Sequence, residues 1–286
     1  MNTPISRRTA LGGLAAGAAL MSQPMAQAQD RVATKGNIKQ SVSRWCYGDI
    51  ALPDFCKACA EMGLKGIDLV GPDDWPVVKD HGLVPTMVPG AGSIPDSVND
   101  PKLHDDLLAS FRRNIPRAAE NGCPNVITFS GNRKGMTDYV GLVNSAQVLR
   151  EAVKIAEDHG VTICMELLNS KVDHKDYMCD RTLWGVALCE MVGSDHFKLL
   201  HDIYHMQIME GDIIRHIQRY HEYIGHYHTG GVPGRNEIDE TQELYYPAIM
   251  KAIVDTGYDM YVAHEYVPTW DDKLASLRQG AKICDV

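Results

Sequence analysis

From residue 41 onward, short apolar runs alternate with longer stretches in which apolar residues recur three and four positions apart. The short runs have the length of β-strands, and the longer stretches have the spacing of amphipathic helices. A glycine follows the last turn at six of the helix ends, which is a common helix stop. We therefore predict eight strand–helix units. The strands are expected at residues 41–47, 65–70, 83–88, 125–130, 161–166, 197–202, 223–228 and 259–265, and the helices at 53–62, 74–81, 101–121, 137–159, 180–192, 207–220, 242–256 and 271–283.

The regular alternation of strands and helices favours parallel strands joined by crossover helices. Eight such units close into a (β/α)₈ barrel, the TIM barrel, and one barrel fits the chain length better than two average domains. The alternative is an open doubly wound sheet, which would want a Gly-x-Gly-x-x-Gly loop after the first strand, and the sequence has none there. The predicted fold is thus of the α/β class, with a single TIM-barrel domain over residues 41–286.

The first 28 residues contain the three parts of an export signal in order. Ser6-Arg7-Arg8-Thr9-Ala10-Leu11 is similar to a twin-arginine motif, a weakly apolar core runs to Met21, and Ala26-Gln27-Ala28 is a cleavage site of the A-x-A type. The core has about 12 residues, which is too short to span a bilayer. We expect residues 1–28 to be a twin-arginine-type signal peptide, residues 29–40 to be a linker, and the protein to be periplasmic without a stable membrane anchor.

Composition narrows the class of partner. The chain has a formal net charge of −9 and no basic run beyond Arg112-Arg113, so a nucleic-acid partner is not expected. The apolar content of 44% is sufficient for a large core, which most of the eight scattered cysteines are expected to join. The predicted partner is a small molecule, and the exposed helices of a barrel leave room for a homo-oligomer.

Four successive strands end in a side chain that can bind a metal. These residues are Glu166, Asp202, His228 and Glu265, each after an apolar run. A buried carboxylate is costly unless something pairs with it, and the carboxyl ends of barrel strands form one rim, where active sites lie. Three carboxylates and one imidazole suit a divalent cation such as Mg, Mn, Co or Zn. The sequence therefore predicts one metal site at the rim.

The same cluster indicates a type of reaction. Glu166 and Glu265 come from the fifth and eighth strands, so they would approach a substrate from opposite sides. Such a pair can remove a proton from one carbon and return one to the next, while the cation stabilises the enediolate between them. Aldose–ketose isomerisation, or epimerisation next to a carbonyl, has these requirements.

Three more histidines lie on or beside these strands. His226 is two residues before His228 and shares its face one layer deeper, so it is expected to be either a partner of the ligands or a core residue. His201 and His264 point away from their acidic neighbours and are expected to be structural.

The loops beyond the strands add candidates for substrate binding. The Gly/Pro-rich loop 230–237 carries Arg235, whose guanidinium suits a carboxylate, although a pairing with Glu237 or Asp239 is the alternative. Lys171, after the fifth strand, is a second candidate for the charge of the substrate. Trp45 is predicted on the first strand, in the core or, as the alternative, as a wall of the pocket.

At these residues the chain resembles the xylose-isomerase-like TIM-barrel superfamily of sugar isomerases and epimerases, and within it the hydroxypyruvate isomerase family. The resemblance spans roughly residues 40 to 270. It rests on Glu166-Leu167-Leu168-Asn169-Ser170, Asp202-Ile203-Tyr204-His205-Met206-Gln207-Ile208-Met209-Glu210-Gly211-Asp212, Pro233-Gly234-Arg235-Asn236-Glu237 and His264-Glu265-Tyr266.

The resemblance implies a site and a reaction. It implies a metal bound by Glu166, Asp202, His228 and Glu265, with Glu166 and Glu265 as the acid/base pair. By similarity, His205 and Arg235 would hold substrate oxygens. The reaction that it implies is the interconversion of hydroxypyruvate and tartronate semialdehyde.

Three departures from the family keep other functions open. His228 stands where the hydroxypyruvate isomerases carry an amide, and histidine there is the wider epimerase pattern. The segment 238–243 replaces a Gly-rich acidic tail, and an export signal is unusual for a metabolic enzyme. The alternatives are a sugar or keto-sugar isomerase/epimerase, a dehydratase or lyase with the same metal site, and, in a different class, a non-catalytic exported binding protein.

Overall fold

Eight parallel strands close into a barrel in the order in which they follow one another along the chain. The computed structural model describes residues 31–286, so the predicted signal peptide, residues 1–28, lies outside the described residues. The first strand pairs with the last, where Val42 lies opposite His264, and this pairing closes the barrel. The predicted (β/α)₈ barrel is confirmed. The strands are β1 Lys39–Ser43, β2 Gly66–Asp68, β3 Val84–Ala91, β4 Asn125–Thr128, β5 Thr162–Glu166, β6 Phe197–Asp202, β7 Ile224–Thr229 and β8 Tyr261–His264.

Nine α-helices are present within residues 31–286. Helix α4 illustrates how local sequence sets their ends: the Thr137 hydroxyl accepts a hydrogen bond from the backbone N–H of Val140, and Gly160 ends the helix with a φ of 66°. The helices are α1 Leu52–Met62, α2 Trp75–Asp80, α3 His104–Glu120, α4 Asp138–His159, α5 Thr182–Val192, α6 Ile203–Met209, α7 Ile213–Tyr220, α8 Tyr246–Asp255 and α9 Lys273–Ile283.

Strand β1 is shorter than predicted and moves Trp45 to the rim. The strand ends at Ser43, and Arg44–Tyr47 form a 3₁₀ turn. The Arg44 guanidinium stabilises this turn because it donates to the carbonyl oxygens of Tyr47 and Ile50. Trp45 is consequently 48% exposed, so its placement on the first strand and in the core is wrong.

The helix predicted at 207–220 is two helices with a break between them. Helix α6 starts directly after β6, because the Asp202 carboxylate caps it by accepting a hydrogen bond from the His205 backbone N–H at 3.0 Å. The break falls at Gly211 and Asp212, both of which have positive φ. The helix predicted from residue 242 also starts later, at Tyr246, because the Gln242 side chain bonds the backbone of Leu244 in a turn.

Part of the barrel interior below the rim, on the side of β3 to β6, is apolar. Met87, Ile127, Cys164 and Leu200 form a separate buried cluster there. Side chains alternate along a strand, so Cys164 and Leu200 lie on the same face as Glu166 and Asp202, one layer deeper. Glu166 and Asp202 therefore lie above a packed apolar layer.

The segment before β1 is hydrogen-bonded to the last two residues of the chain. The backbone N–H of Lys35 donates to Asp285 at 3.0 Å, and the Asn37 amide donates to the carbonyl oxygen of Val286 at 2.9 Å. The predicted linker 29–40 thus overlaps β1 and is hydrogen-bonded to the barrel from residue 32 onward, where Val32 donates to the carbonyl of Met62.

Two further properties concern the described residues as a whole. All eight cysteines are buried and free, as expected of core residues. None of the helices in residues 31–286 has the length and apolar character needed to cross a membrane.

Candidate metal centre

The four predicted ligands meet at the rim of the barrel. Glu166 and Asp202 are the last residues of β5 and β6, His228 is the penultimate residue of β7, and Glu265 follows β8 directly. All four side chains are buried. His228 Nδ1 lies 2.8 Å from Glu265 Oε2, 3.5 Å from Glu166 Oε1 and 4.0 Å from Asp202 Oδ2. The closed register of parallel strands is what brings these distant residues together.

The donor set fits a single divalent cation. One ligand atom from each of the four residues lies within 4.8 Å of the other three. Donors about 2 Å from one ion are at most about 4 Å apart, so small side-chain adjustments suffice for all four to reach it. Oxygen donors with one imidazole suit Mg, Mn, Co or Zn.

The charged groups of the cluster shift one another's pKa. Burial opposes the ionisation of Glu265, but His228 and Arg235 outweigh it and hold the pKa of this carboxyl below its usual range. Burial also disfavours a charged imidazole, yet Glu265 and the hydrogen bonds of Asp68 and Glu166 raise the pKa of His228 well above its ordinary value. These groups stabilise each other, and a divalent cation would complement the same carboxylates.

Asp202 shows how local structure aims a ligand. Its Oδ1 caps α6, and this hydrogen bond leaves Oδ2 directed at the cluster, 4.0 Å from His228 Nδ1. Burial raises the pKa of the Asp202 carboxyl. A strand that passes directly into a helix therefore orients a carboxylate and supplies its buried environment.

A fifth acid lies one layer below the ligands and was not predicted. Asp68, the last residue of β2, accepts hydrogen bonds at Oδ2 from Nε2 of His226 at 2.5 Å and from Nε2 of His228 at 3.2 Å. Of its two predicted uses, His226 has that of a partner of the ligands, which it contacts through Asp68. Asp68 also ends a strand, so the rule that selected the four ligands applied to it. The predicted strand 65–70 ran past it, because Leu69 and Val70 continue the apolar run.

Arg235 reaches the ligands rather than its neighbours in sequence. Its Nη2 donates to Glu265 Oε2 at 2.5 Å and to Asp202 Oδ2 at 3.2 Å, so the alternative pairing with Glu237 or Asp239 is wrong. The Glu237 carboxylate instead accepts hydrogen bonds from Thr269, Trp270 and Ser276.

The loop geometry explains this reach. Arg235 has a φ of 57°, and Gly231 packs so closely on the Glu237 carbonyl that an added Cβ would lie 2.1 Å from the oxygen. The tight loop turns the Arg235 side chain into the mouth of the barrel. There its guanidinium lies over the rings of Trp45 and Tyr204, at 5.4 and 5.3 Å.

Trp45 contacts the site from the 3₁₀ turn after β1. Its indole N–H donates to Glu265 Oε1 at 2.7 Å, and one face of the ring lies against Arg235. Trp45 therefore forms part of the pocket wall, which was its alternative predicted use, and does not pack in the core.

His205 presents a polar atom to the site. Its Nδ1 accepts from the Asn169 backbone N–H at 3.2 Å and from the Asn169 side-chain amide at 2.7 Å. The amide is oriented because its oxygen accepts from the N–H groups of Val172 and Asp173. Burial, and then the charge of Arg235, hold the pKa of His205 well below its usual value, so the ring is neutral and its proton lies on Nε2. That atom is buried 3.7 Å from Asp202 Oδ2 and makes no hydrogen bond within residues 31–286.

Two expectations about other residues have different outcomes. Lys171 donates to the carbonyl oxygens of Ile208 and Met209 at the end of α6, so its use for substrate charge is not supported. His264 donates from Nε2 to the amide oxygen of Gln40 at 2.8 Å, and His201 packs on Tyr227, outside the ligand cluster. Both histidines are structural, as predicted.

Comparison with known proteins agrees with this fold. The model of the xylose isomerase-like TIM barrel family matches residues 56–283 of the chain. A Drosophila melanogaster protein named "Putative hydroxypyruvate isomerase" is 38% identical over 206 residues, which cover 67% of this chain and 74% of that one. The human protein of the same name is 27% identical over 248 residues, covering 79% of this chain and 88% of that one.

A solved structure shares the architecture at lower identity. The D-psicose 3-epimerase of Clostridium cellulolyticum H10, solved with D-tagatose, is 20% identical and superposes with a TM-score of 0.69. The match covers 87% of this chain and all of that one, so the fold is common to both.

Proposed function

The chain belongs to the xylose isomerase-like TIM barrel family, and from this premise we propose that it is a metal-dependent isomerase of hydroxypyruvate and tartronate semialdehyde. The observation that carries the proposal is the rim cluster, a donor set for one divalent cation that includes two glutamates from the ends of non-adjacent strands. The relatives named as hydroxypyruvate isomerases support the choice of substrate.

The metal would be held by Glu166, Asp202, His228 and Glu265. When bound, a divalent cation supplies Lewis-acid charge that lowers the cost of an enediolate. Two donors beside it are suited to substrate oxygens. His205 offers its unpartnered Nε2–H, and the buried Nε of Arg235 makes no hydrogen bond in the described part of the chain. We assign the substrate carboxylate to Arg235, whose guanidinium plane the two rings hold in place.

The two glutamates have different surroundings, and this assigns their roles. Both oxygens of Glu265 accept hydrogen bonds, from Trp45 at Oε1 and from His228 and Arg235 at Oε2. The Glu166 side chain has one such neighbour in residues 31–286, His228 Nδ1 at 3.5 Å. Glu166 is therefore the freer of the two to accept a proton from substrate.

The proposed reaction then consists of two proton transfers. Glu166 takes a proton from C3, and the electron pair forms the C2–C3 double bond as the C2 carbonyl electrons move to O2. The glutamate pair returns a proton to C2 while the O3 oxygen becomes the aldehyde carbonyl. The net change moves one proton from C3 to C2 and one from O3 to O2.

Proton exchange tests this proposal. The protein, loaded with Mn²⁺ or Mg²⁺, is incubated with hydroxypyruvate in D₂O, and carbon-bound deuterium is followed by NMR. We expect tartronate semialdehyde with deuterium at C2, and deuterium at C3 in recovered hydroxypyruvate. The Glu166→Gln variant should fold normally but bind metal more weakly. At saturating metal, its rate of deuterium exchange should be at least about 10²-fold lower than that of the wild type. Unchanged exchange in this variant would refute the role of Glu166.

A sugar or keto-sugar isomerase/epimerase is the second candidate. The presence of His228 rather than an amide favours it, as does the open mouth, where Trp45 is 48% exposed and Val267 40% exposed. A panel of ketoses in the same experiment separates the candidates, because exchange in a sugar alone would select this one. Loss of water from a keto-sugar would indicate a dehydratase or lyase, and binding without exchange a non-catalytic binding protein. Export to the periplasm through residues 1–28 remains part of the proposal.

A further inference from the structure

Asp68 is held by four hydrogen-bond donors at the centre of the barrel. Its Oδ2 accepts from His226 and His228, and its Oδ1 accepts from the hydroxyl of Ser41 at 2.7 Å and from that of Thr86. Asp68 and all four donors are fully buried. A carboxylate with two donors on each oxygen is fixed in position and satisfied as an anion.

This arrangement determines which nitrogen of His228 faces the rim. A neutral imidazole carries its proton on one nitrogen and a lone pair on the other. Without a metal, Nδ1 of His228 faces a carboxylate as well, that of Glu265 at 2.8 Å. A cation at the rim would displace the Nδ1 proton. The remaining proton then belongs on Nε2, which is turned to the Asp68 carboxylate 3.2 Å away, and the lone pair belongs to Nδ1. Nδ1 is the atom that lies near Glu166, Asp202 and Glu265.

We propose that Asp68 is a positioning residue that fixes the orientation and tautomer of His228 and thereby sets the affinity of the rim for its metal. The inference rests on the metal site of the proposed function. A carboxylate behind a ligating histidine holds the ring and makes the ligand nitrogen more basic, and loss of such a partner typically lowers metal affinity about 10- to 100-fold.

The strand order explains why the contact with Asp68 can hold His228 in position. Strand β2 is not adjacent to β7, since β8 and β1 lie between them in the closed sheet. The Asp68–His228 hydrogen bond therefore crosses the barrel interior. Ser41 on β1 and Thr86 on β3 hold the carboxylate from both neighbouring strands, so its position depends on the barrel and not on one flexible side chain.

The alternative use of these residues is a second metal site. Donor atoms of Asp68, His226 and His228 also lie within 4.8 Å of one another. Both imidazoles, however, direct Nε2 at one oxygen of Asp68, and the other oxygen already has two hydroxyl donors. An ion there would have to displace the protons of both rings, which favours the reading of Asp68 as an anchor.

The Asp68→Asn substitution tests the anchor with little change in shape. An amide offers one oxygen and an NH₂ group, so four donors can no longer all be satisfied. Where the NH₂ group faces His228, Nε2 must accept, and the proton moves to Nδ1, which then cannot bind metal. We expect the dissociation constant for Mn²⁺, measured by titration calorimetry, to rise about 10- to 100-fold.

A matched control separates positioning from stability. Ile127 lies in the apolar layer of the barrel interior and belongs to the cluster of Met87, Cys164 and Leu200. Ile127→Ala should lower the unfolding temperature while leaving the Mn²⁺ dissociation constant within about twofold of the wild type, since it removes only packing. An affinity loss in Ile127→Ala equal to that in Asp68→Asn would overturn the proposal.

A second measurement begins with the wild type, so its first result does not depend on the folding of a variant. In the protein loaded with diamagnetic Zn²⁺ and labelled with ¹⁵N-histidine, His228 should carry its proton on Nε2, and this signal should be lost or moved in Asp68→Asn. A proton on Nδ1 in the Zn²⁺-loaded wild type, or two ions per chain with one lost in Asp68→Asn, would overturn the proposal. A wild type that binds no divalent cation would overturn the proposed function itself, whereas tight binding that is unchanged in Asp68→Asn overturns this inference alone.

Discussion

Arg235 and a divalent cation contact the same carboxylates in the arrangement proposed above, and this gives a quantitative prediction. Arg235→Met removes the guanidinium and keeps most of the length and apolar surface of the side chain. In protein stripped of metal by a chelator, Asp202 and Glu265 would then lose their nearest permanent positive charge. We expect a large loss of stability that metal largely reverses.

The distances set the magnitude. At an effective dielectric constant of about 20, contacts of 2.5 Å and 3.2 Å are each worth roughly 5–7 kcal/mol before the cost of burial. Desolvation of the buried ions cancels much of this, and removal of one partner of a buried pair typically costs about 3–5 kcal/mol. The ring contacts with Trp45 and Tyr204 account for about 1–2 kcal/mol that metal cannot restore.

The assay is urea unfolding with and without saturating Mn²⁺. We expect Arg235→Met to lower the free energy of unfolding by about 3–5 kcal/mol under chelation and by about 1–2 kcal/mol with metal. By linkage, the difference of about 2–3 kcal/mol means that Mn²⁺ binds the variant roughly 30- to 150-fold more tightly than the wild type.

Arg133 offers a matched control. It is a partly buried arginine on the same side of the barrel, paired with Asp180 at 3.0 Å, and it contacts none of the four ligands. Arg133→Met should destabilise the protein equally with and without metal. Equal losses for Arg235→Met in both conditions would refute the idea that this guanidinium balances the ligand charges.

Two further predictions concern the rim and its loops. Trp45→Phe keeps an aromatic face on Arg235 but removes the N–H donor to Glu265, so turnover at saturating substrate should fall about tenfold; an unchanged turnover number would exclude a role for this hydrogen bond. For Glu237, burial opposes ionisation, but hydrogen bonds from the Glu237 and Thr269 backbone and from the Thr269 and Ser276 side chains outweigh it and lower the pKa. Its ionised form therefore stabilises the fold above the unfolded pKa of about 4.5, and this contribution is lost as the pH falls through the folded value. Unfolding temperatures between pH 7 and pH 3 should fall less steeply for Glu237→Gln than for the wild type, and parallel curves would contradict this.

The ligand cluster was predictable because it follows from two periodic rules. Strand alternation placed His226 under His228, and barrel topology placed the ends of strands five to eight on one rim. Both rules apply without knowledge of any distance between the residues, because the closed barrel brings the strand ends together. The positions of these residues therefore follow from the local sequence pattern and the fold alone.

The partners of the cluster were not predictable, because they depend on where loops and strand ends fall to within one residue. The predicted first strand ran through Trp45, and only the Arg44 hydrogen bonds show why the chain turns before it. The partner of Arg235 was sought among acids nearby in sequence, whereas its positive φ directs it to acids 30 and 33 residues away. Asp68 was overlooked for the same reason: its strand ends two residues earlier than the apolar run does.

All four predicted ligands come from the second half of the barrel, on β5 to β8. The first half supplies Asp68 beneath the cluster and Trp45 beside it, but none of the four ligands. A chain built in this way can diversify by changing the loops after β2, β3 and β4, which would reshape the entrance while the four predicted ligands stay in place. New substrate preferences are therefore most accessible, by evolution or by library screening, through the half of the molecule that carries none of the ligands.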